Sequence, residues 1–308
     1  MKRCPLTYKP LGEDETNYSR EGLNKLARGL KKLDVFQYSR QAQVQEAQRL
    51  ATKLSIQGVQ PKISARLNVG AGRFEIVDRG GTFIIKPQID LPFVPENEDL
   101  TMHLAKACGI EVPWHGLILC SDGTYSYVIK RFDRLAKSEK VPLEDFSQLL
   151  GAGRDTKYDV PMERCLDVLE HCTFSTLEAA KLLRRIVFSF LIGNEDLHLK
   201  NLSLITKGNK VALSPAYDLL NSTIVTPGTQ EEMALELNGK KRGFTREDFV
   251  ENFALKNDIL NAKVTNQIID DVIANLEKND SLIEGSFLDE EQKRKYKTLL
   301  AERIRRIS

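Results

Sequence analysis

The chain is 308 residues long and 41% hydrophobic, enough to bury a substantial core in one large or two modest domains. Its 45 basic and 43 acidic residues leave a formal net charge of +2, so the bulk electrostatic pull on nucleic acid is weak and any basic patch must be local. No stretch reaches the ~18 continuous apolar residues of a membrane span, and the N-terminus has no apolar run suited to a signal peptide. Cys4, Cys108, Cys120, Cys165 and Cys172 lack CxxC or Cys/His metal spacing, so free thiols in a reducing, cytoplasmic setting are expected.

Residues 1 to 53 are polar and rich in Lys, Arg and Gln, with short helical patterns such as EGLNKLARGLKKL and no internal repeat. From Ser55 to about Phe132 the texture is strand-like: KISARLNV and RFEIVD flank GAG as a hairpin, GTFIIKP follows, and YSYVIKRFD closes the set. Between the last two, ENEDLTMHLAKAC reads as a helix with Asn97 as its cap and Leu100, Leu104 and Ala107 on one face. The stretch VIKRFDRLAKSEKVP is the expected connection to a half in which helix predominates. There STLEAAKLLRRIVFSFLI places Leu183, Ile186, Val187, Phe190 and Leu191 at helical spacing, between a Ser/Thr cap and Gly193. TNQIIDDVIANLEKN and EEQKRKYKTLLAERIRRI read as further amphipathic helices, the last with Arg303, Arg305 and Arg306 on a solvated face or, as the alternative, touching nucleic acid.

The chemistry concentrates in FLIGNEDLHLKNLSLI. Asn194, Glu195, Asp196, His198, Lys200 and Asn201 sit between apolar runs, where each unpaired polar group costs roughly 2–7 kcal/mol to desolvate. Asp196 and Asn201 form D-x-H-x-x-N, and Asp218 follows in LSPAYDLLNS. In protein kinases such an Asp positions the attacking hydroxyl, the Asn holds one Mg²⁺, and a later Asp holds Mg²⁺ bridging the nucleotide phosphates. A loop of Asn and Asp also makes turns and caps. Lys86 lies in the apolar strand FIIKP, where an ammonium calls for an anion such as phosphate, and Glu98 on the next helix is placed to pair with it. A strand-end lysine also snorkels to water. LSIQGVQPKIS, with Ser55, Gly58 and Pro61, either curls its N–H groups around phosphates or simply turns; it matches neither the Walker A nor the kinase glycine-rich pattern.

In this order the motifs resemble those of the HipA-like serine/threonine kinases of bacterial toxin–antitoxin systems. SIQGVQPK resembles the family's phosphate loop, FIIKP its nucleotide-lysine strand, ENEDLTMHLAKACGIEVP its next helix and VIKRFDR its hinge. LEDFSQLLG and KYD look like a mid-domain signature, and GNEDLHLKNLSLI and LSPAYDLLN like the catalytic and metal loops, so the resemblance runs from about Ser55 to Asn238. It implies an α+β, two-lobed protein-kinase-like fold: an N-terminal extension over 1–54, a small sheet-rich N-lobe over 55–133 and a larger helical C-lobe over 134–308. It implies ATP and Mg²⁺ as cofactors, Asp196 as catalytic base, Asn201 and Asp218 as metal ligands, and Lys86, held by Glu98, as the phosphate contact. Lys130 and Phe132 would bond adenine through their backbones, Asp133 would lie near the ribose, Gly58 would sit in the phosphate loop, and His198 would shape the catalytic loop. Ser55 matches a serine that the family autophosphorylates; Gln57 stands where some members carry a second one.

Full-length members carry roughly a hundred further residues ahead of the phosphate loop. With 54 there, this chain looks like the short HipT branch, in which that domain is a separate small antitoxin and another component binds DNA. The implied target is an aminoacyl-tRNA synthetase, tryptophanyl ahead of glutamyl, whose modification stops translation. D-x-H-x-x-N also resembles the loop of phosphoinositide-type and other small-molecule kinases, and a catalytically silent scaffold of an antitoxin–DNA complex is the non-enzyme alternative.

Overall fold

The computed structural model describes residues 2–51 (the last two by backbone only), 60–134, 140–153, 156–226, 228 and 230–308. The chain divides into two compact units, one of Met1–Leu100, Pro113–Glu139 and Glu284–Leu288, the other of Thr101–Val112, Lys140–Ile283 and Asp289–Ser308.

The first unit opens with α1 (Arg20–Leu26), whose Ser19 cap accepts from the Gly22 N–H at 3.1 Å. The helical pattern stops early: Gly29 turns with φ +82°, and the chain beyond it continues without helix, burying Leu30, Leu33 and Phe36. α2 (Arg40–Ala51) is polar, yet Gln43 is fully buried; its amide bonds the Tyr38 carbonyl at 3.1 Å and accepts from Ser126 Oγ at 2.8 Å. Strands β1 (Ile63–Asn68), β2 (Arg73–Ile76), β3 (Phe83–Lys86), β4 (His115–Leu119) and β5 (Tyr125–Lys130) make one antiparallel sheet in the order β2-β1-β3-β5-β4. The hairpin around GAG joins β1 and β2. β4 escapes the sequence reading because four of its five residues are buried, leaving no period-two alternation.

Cys4, Leu6, Tyr18, Leu23, Leu26, Leu30, Leu33 and Phe36 share one core with Ile63, Ala65, Phe83, Ile85, Ile118 and Val128 from the sheet. The polar-looking N-terminal segment is thus structural material of this unit. Each fully buried leucine or phenylalanine there contributes ~1.5–3 kcal/mol of burial.

α3 (Val94–Ala107) is divided between the units. It starts three residues ahead of the expected cap: Asn97 is 1% exposed inside the helix and donates its N–H to the Phe93 carbonyl at 2.9 Å. Pro95 sits in the first turn, where a missing N–H costs nothing.

In the second unit β6 (Leu143–Asp145) leads into α4 (Phe146–Leu149), closed by a capping box between Asp145 and Gln148. A 3₁₀ turn (Met162–Arg164) feeds α5 (Cys165–Leu169), and α6 (Ser175–Ile192) follows. No Ser/Thr side chain caps α6, contrary to the expectation; the Glu178 N–H bonds the Phe174 carbonyl instead. From Ile186 to Ile192 every side chain of α6 is buried, packed against α5, β8 (Lys210–Leu213), α8 (Ala262–Lys278) and α10 (Glu290–Ile307). β7 (Ser203–Lys207) lies between β6 and β8 in a three-stranded antiparallel sheet that the helical reading of this half misses. α7 (Ser222–Val225), a π-helical segment (Asp248–Leu255) and α9 (Asp280–Gly285) complete the unit's elements, α9 being shared with the first unit at its last two residues.

The end of α10 leaves Arg305 exposed, as expected, but corrects the expectation for Arg303. Arg303 is 2% exposed, with its guanidinium 5.0 Å over the Phe190 ring and hydrogen-bonded to the Phe190 carbonyl. Arg306 pairs with Glu232 at 2.7 Å and Glu302 at 2.6 Å. An aromatic face and buried carbonyl accept the cation where water would otherwise be needed.

Candidate active site

The second unit builds its loop from the end of α6. Gly193 stops the helix in the left-handed region, φ +77°, and a Cβ there would run into Leu299 and come within 2.7 Å of Thr223 Oγ1. The following residues are tied to α7: the Glu195 N–H bonds Ser222 Oγ at 2.8 Å, and Thr223 Oγ1 donates to Glu195 Oε1 at 2.7 Å. Leu197, Leu199 and Leu202 are buried beneath the loop. They hold its backbone while the Asp196 side chain stands 62% exposed. Asn194 Oδ1 accepts from the Asp196 N–H at 3.2 Å, and Asn201 Oδ1 accepts from the His198 N–H at 3.1 Å across a 3₁₀ turn.

His198 lies under this surface with Nε2 4.0 Å from Asp196 Oδ1. Burial lowers its pKa below the ordinary value, more than the Asp196 carboxylate restores, so the imidazole is neutral at pH 7. Its ring packs under the loop with the Tyr158 ring edge-on, centroids 5.2 Å apart. Asp196 Oδ1 also accepts a hydrogen bond from the Tyr158 hydroxyl at 2.8 Å.

Asp218 lies in the irregular segment beyond β8 with φ +55°, a left-handed backbone uncommon outside glycine. Its neighbour Tyr217 is locked in place. The Tyr217 hydroxyl donates to the Lys200 carbonyl at 2.9 Å and lies 2.5 Å from Ser203 Oγ, joining the Asp218 segment to the segment carrying Asn201. The Arg185 guanidinium, buried in α6, bonds the Ser214 carbonyl just upstream. Nothing in the spacing of Tyr217 marks it; only the tertiary contact does.

The first unit presents Lys86 and Glu98. Lys86 ends β3 at 3% exposure, its ammonium 2.5 Å from Glu98 Oε1 on α3 and 5.6 Å over the Tyr127 ring. The carboxylate compensates an amine that burial has taken out of water. Lys130 closes β5, and its N–H already bonds the Trp114 carbonyl at 2.8 Å. Phe132 is half-buried in the turn beyond. Asp133 is claimed from two sides, by Arg131 at 2.7 Å and by Arg134; burial would raise its pKa, but the two guanidiniums hold it below the ordinary carboxylate range. A ribose hydroxyl at Asp133 would have to share that carboxylate. Ser55 and Gly58 lie outside the described residues, as does Gln57.

Hard oxygen donors suit Mg²⁺, and Asn201 and Asp218 supply an amide carbonyl and a carboxylate. The hydrogen bond from His198 fixes which way the Asn201 amide points and uses one lone pair of its oxygen, leaving the other for a cation.

An antiparallel sheet unit with a buried strand-lysine and helix-glutamate pair, and a larger helical unit carrying D-x-H-x-x-N, make this a two-lobed protein-kinase-like fold. HipA of Shewanella oneidensis MR-1, solved with HipB and its operator DNA, superposes with a TM-score of 0.68 at 22% identity, covering 90% of this chain and 73% of that one. Residues 54–279 match the HipA-like C-terminal domain, and the chain belongs to that family. A Haemophilus influenzae protein whose name proposes a kinase is 28% identical over 322 residues, 94% of this chain and 92% of that protein. The serine/threonine-protein kinase toxin HipA of S. oneidensis is 27% identical over 190 residues, 55% of this chain but only 43% of its own length. No helix among the described residues is long and apolar enough to cross a membrane.

Proposed function

We propose that this chain is a HipA-like serine/threonine protein kinase that transfers the γ-phosphoryl group of ATP to a serine hydroxyl of a partner protein and to its own Ser55. The observation that carries the reading is the buried Lys86–Glu98 pair, 4% and 3% exposed at the side chains. Removing an ammonium and a carboxylate from water costs several kcal/mol per ion, and a polyphosphate gives that arrangement a use.

In the reaction Asp196 accepts the proton of the serine hydroxyl as its oxygen bonds to Pγ, the bond from Pγ to the bridging oxygen breaks, and ADP leaves with the electron pair. Lys86 contacts the phosphates and Glu98 holds it; Asn201 and Asp218 would hold Mg²⁺, which neutralises phosphate charge when bound. His198 and Tyr217 keep the loop geometry. The hinge contacts fall to Lys130 and Phe132, with Asp133 near the ribose. Phosphate on Ser55, adding ≈ −1.5 to −2 charge, would repel bound nucleotide.

The preferred acceptor is tryptophanyl-tRNA synthetase, then the glutamyl enzyme, so that transfer arrests translation. The expected partners are a small antitoxin resembling the N-terminal domain of longer members and a DNA-binding antitoxin component; the S. oneidensis HipA structure with HipB and DNA supports that kind of assembly. Labelled ATP with each purified synthetase tests the reading. Transfer by the wild-type chain that disappears in Asp196→Asn supports it, while a wild-type chain that labels neither a synthetase nor itself sinks it.

A further inference from the structure

The KYD segment has no place in the mechanism so far, yet it meets the catalytic loop directly. Tyr158 donates its hydroxyl to Asp196 Oδ1 at 2.8 Å. Its ring stands edge-on to the His198 imidazole, centroids 5.2 Å apart at 69°, and the Lys157 ammonium lies 4.5 Å from the Tyr158 ring centroid. Burial, and then the neighbouring Asp196 carboxylate, push the Tyr158 phenol well above its ordinary pKa, so it is a proton donor throughout the physiological range.

We propose, resting on the kinase reading above, that Tyr158 is a positioning residue that pins Oδ1 of Asp196 so that Oδ2 is the oxygen presented to the acceptor hydroxyl. The need for such a residue follows from exposure. The Asp196 side chain is 62% exposed, and the torsion that turns a carboxylate has a broad, two-fold profile, so an unanchored Asp196 would offer either oxygen at many angles. Oδ1 carries the Tyr158 bond and is also the oxygen 4.0 Å from His198 Nε2. A phenol hydrogen bond is therefore directed at one oxygen only. In phosphoryl transfer through a loose transition state the carboxylate contributes by where it sits more than by its basicity, so fixing its plane acts on turnover.

Tyr158→Phe removes the hydroxyl and keeps the ring against His198, which separates hydrogen bonding from packing. With labelled Mg-ATP and whichever synthetase or self-site accepts phosphate in the wild-type protein, kcat is expected to fall about tenfold, the loss of one ordinary hydrogen bond, with KM for ATP and acceptor within about twofold of wild type. A variant as fast as wild type overturns the proposal, as does a faster one, which would make Tyr158 an obstruction to the acceptor. A raised KM at unchanged kcat overturns it as well. Wild-type protein without any phosphate transfer defeats the kinase reading itself and the proposal with it, whereas an active wild type with an unaffected Tyr158→Phe defeats the proposal alone.

Discussion

Glu96 lies in the first turn of α3, 7% exposed, and its Oε2 finds no hydrogen-bond donor among the described residues. Burial, with some help from the charge of Asp99, pushes its pKa from 4.5 up to about 7. The folded first unit therefore holds a proton there that the unfolded chain releases above pH 4.5. Stability from this group is fully present below pH 4.5 and is lost as the pH rises through 7. At about 1.4 kcal/mol per pH unit the gap corresponds to about 3 kcal/mol. Glu96→Gln keeps the shape and cannot ionise, so relative to wild type its stability should climb by about that amount between pH 4.5 and 8. Trp114, the single tryptophan, packs against the first unit's core 6.1 Å from Phe83, so its fluorescence during urea unfolding follows this unit. A difference between wild type and Glu96→Gln that stays constant across that pH range would refute the reasoning.

The remaining expectations concern the ion pair, the loop hinge and the thiols. Lys86→Met should abolish phosphate transfer and destabilise the first unit by about 3–5 kcal/mol, because Glu98 is left buried without its ammonium. Adding Glu98→Leu should restore most of the stability and none of the transfer, as read by denaturation and labelled ATP. Gly193→Ala should cost about 2–4 kcal/mol, from the left-handed backbone and the collision with Leu299 and Thr223, in a denaturation measurement on the whole protein. All five cysteines are buried and free, with Cys108 pushed up to about 12 and Cys172 to about 11 by burial, so a thiol reagent at pH 8 should label the native chain slowly and all five only after unfolding.

Much of this arrangement is legible in the sequence where a long periodic pattern or a diagnostic turn is present. The helix over 175–192, the one over 290–307 and the hairpin around GAG have the expected places because their apolar spacing repeats over several turns or alternates cleanly. The segments β4 and β6 to β8 are short and largely buried or follow polar turns, so their residues carry no period to read. D-x-H-x-x-N and FIIKP point to their chemistry because a charge beside apolar residues demands a partner, and for Lys86 that partner is Glu98. Tyr158 and Tyr217 are different. Each acts through a hydrogen bond to a residue far along the chain, and a tyrosine in a loop has no local feature that announces it. Arg303 misleads for the related reason that a basic helix end looks solvated until Phe190 is seen beneath it.

The five residues 284–288 belong to the first unit although nearly all of the second is threaded before them. Phe287 sets its ring edge against Tyr8 at 5.6 Å and Tyr125 at 5.2 Å. During synthesis these two contacts to Phe287 form only after almost the whole polypeptide has emerged from the ribosome. The first unit's maturation is then coupled to elongation.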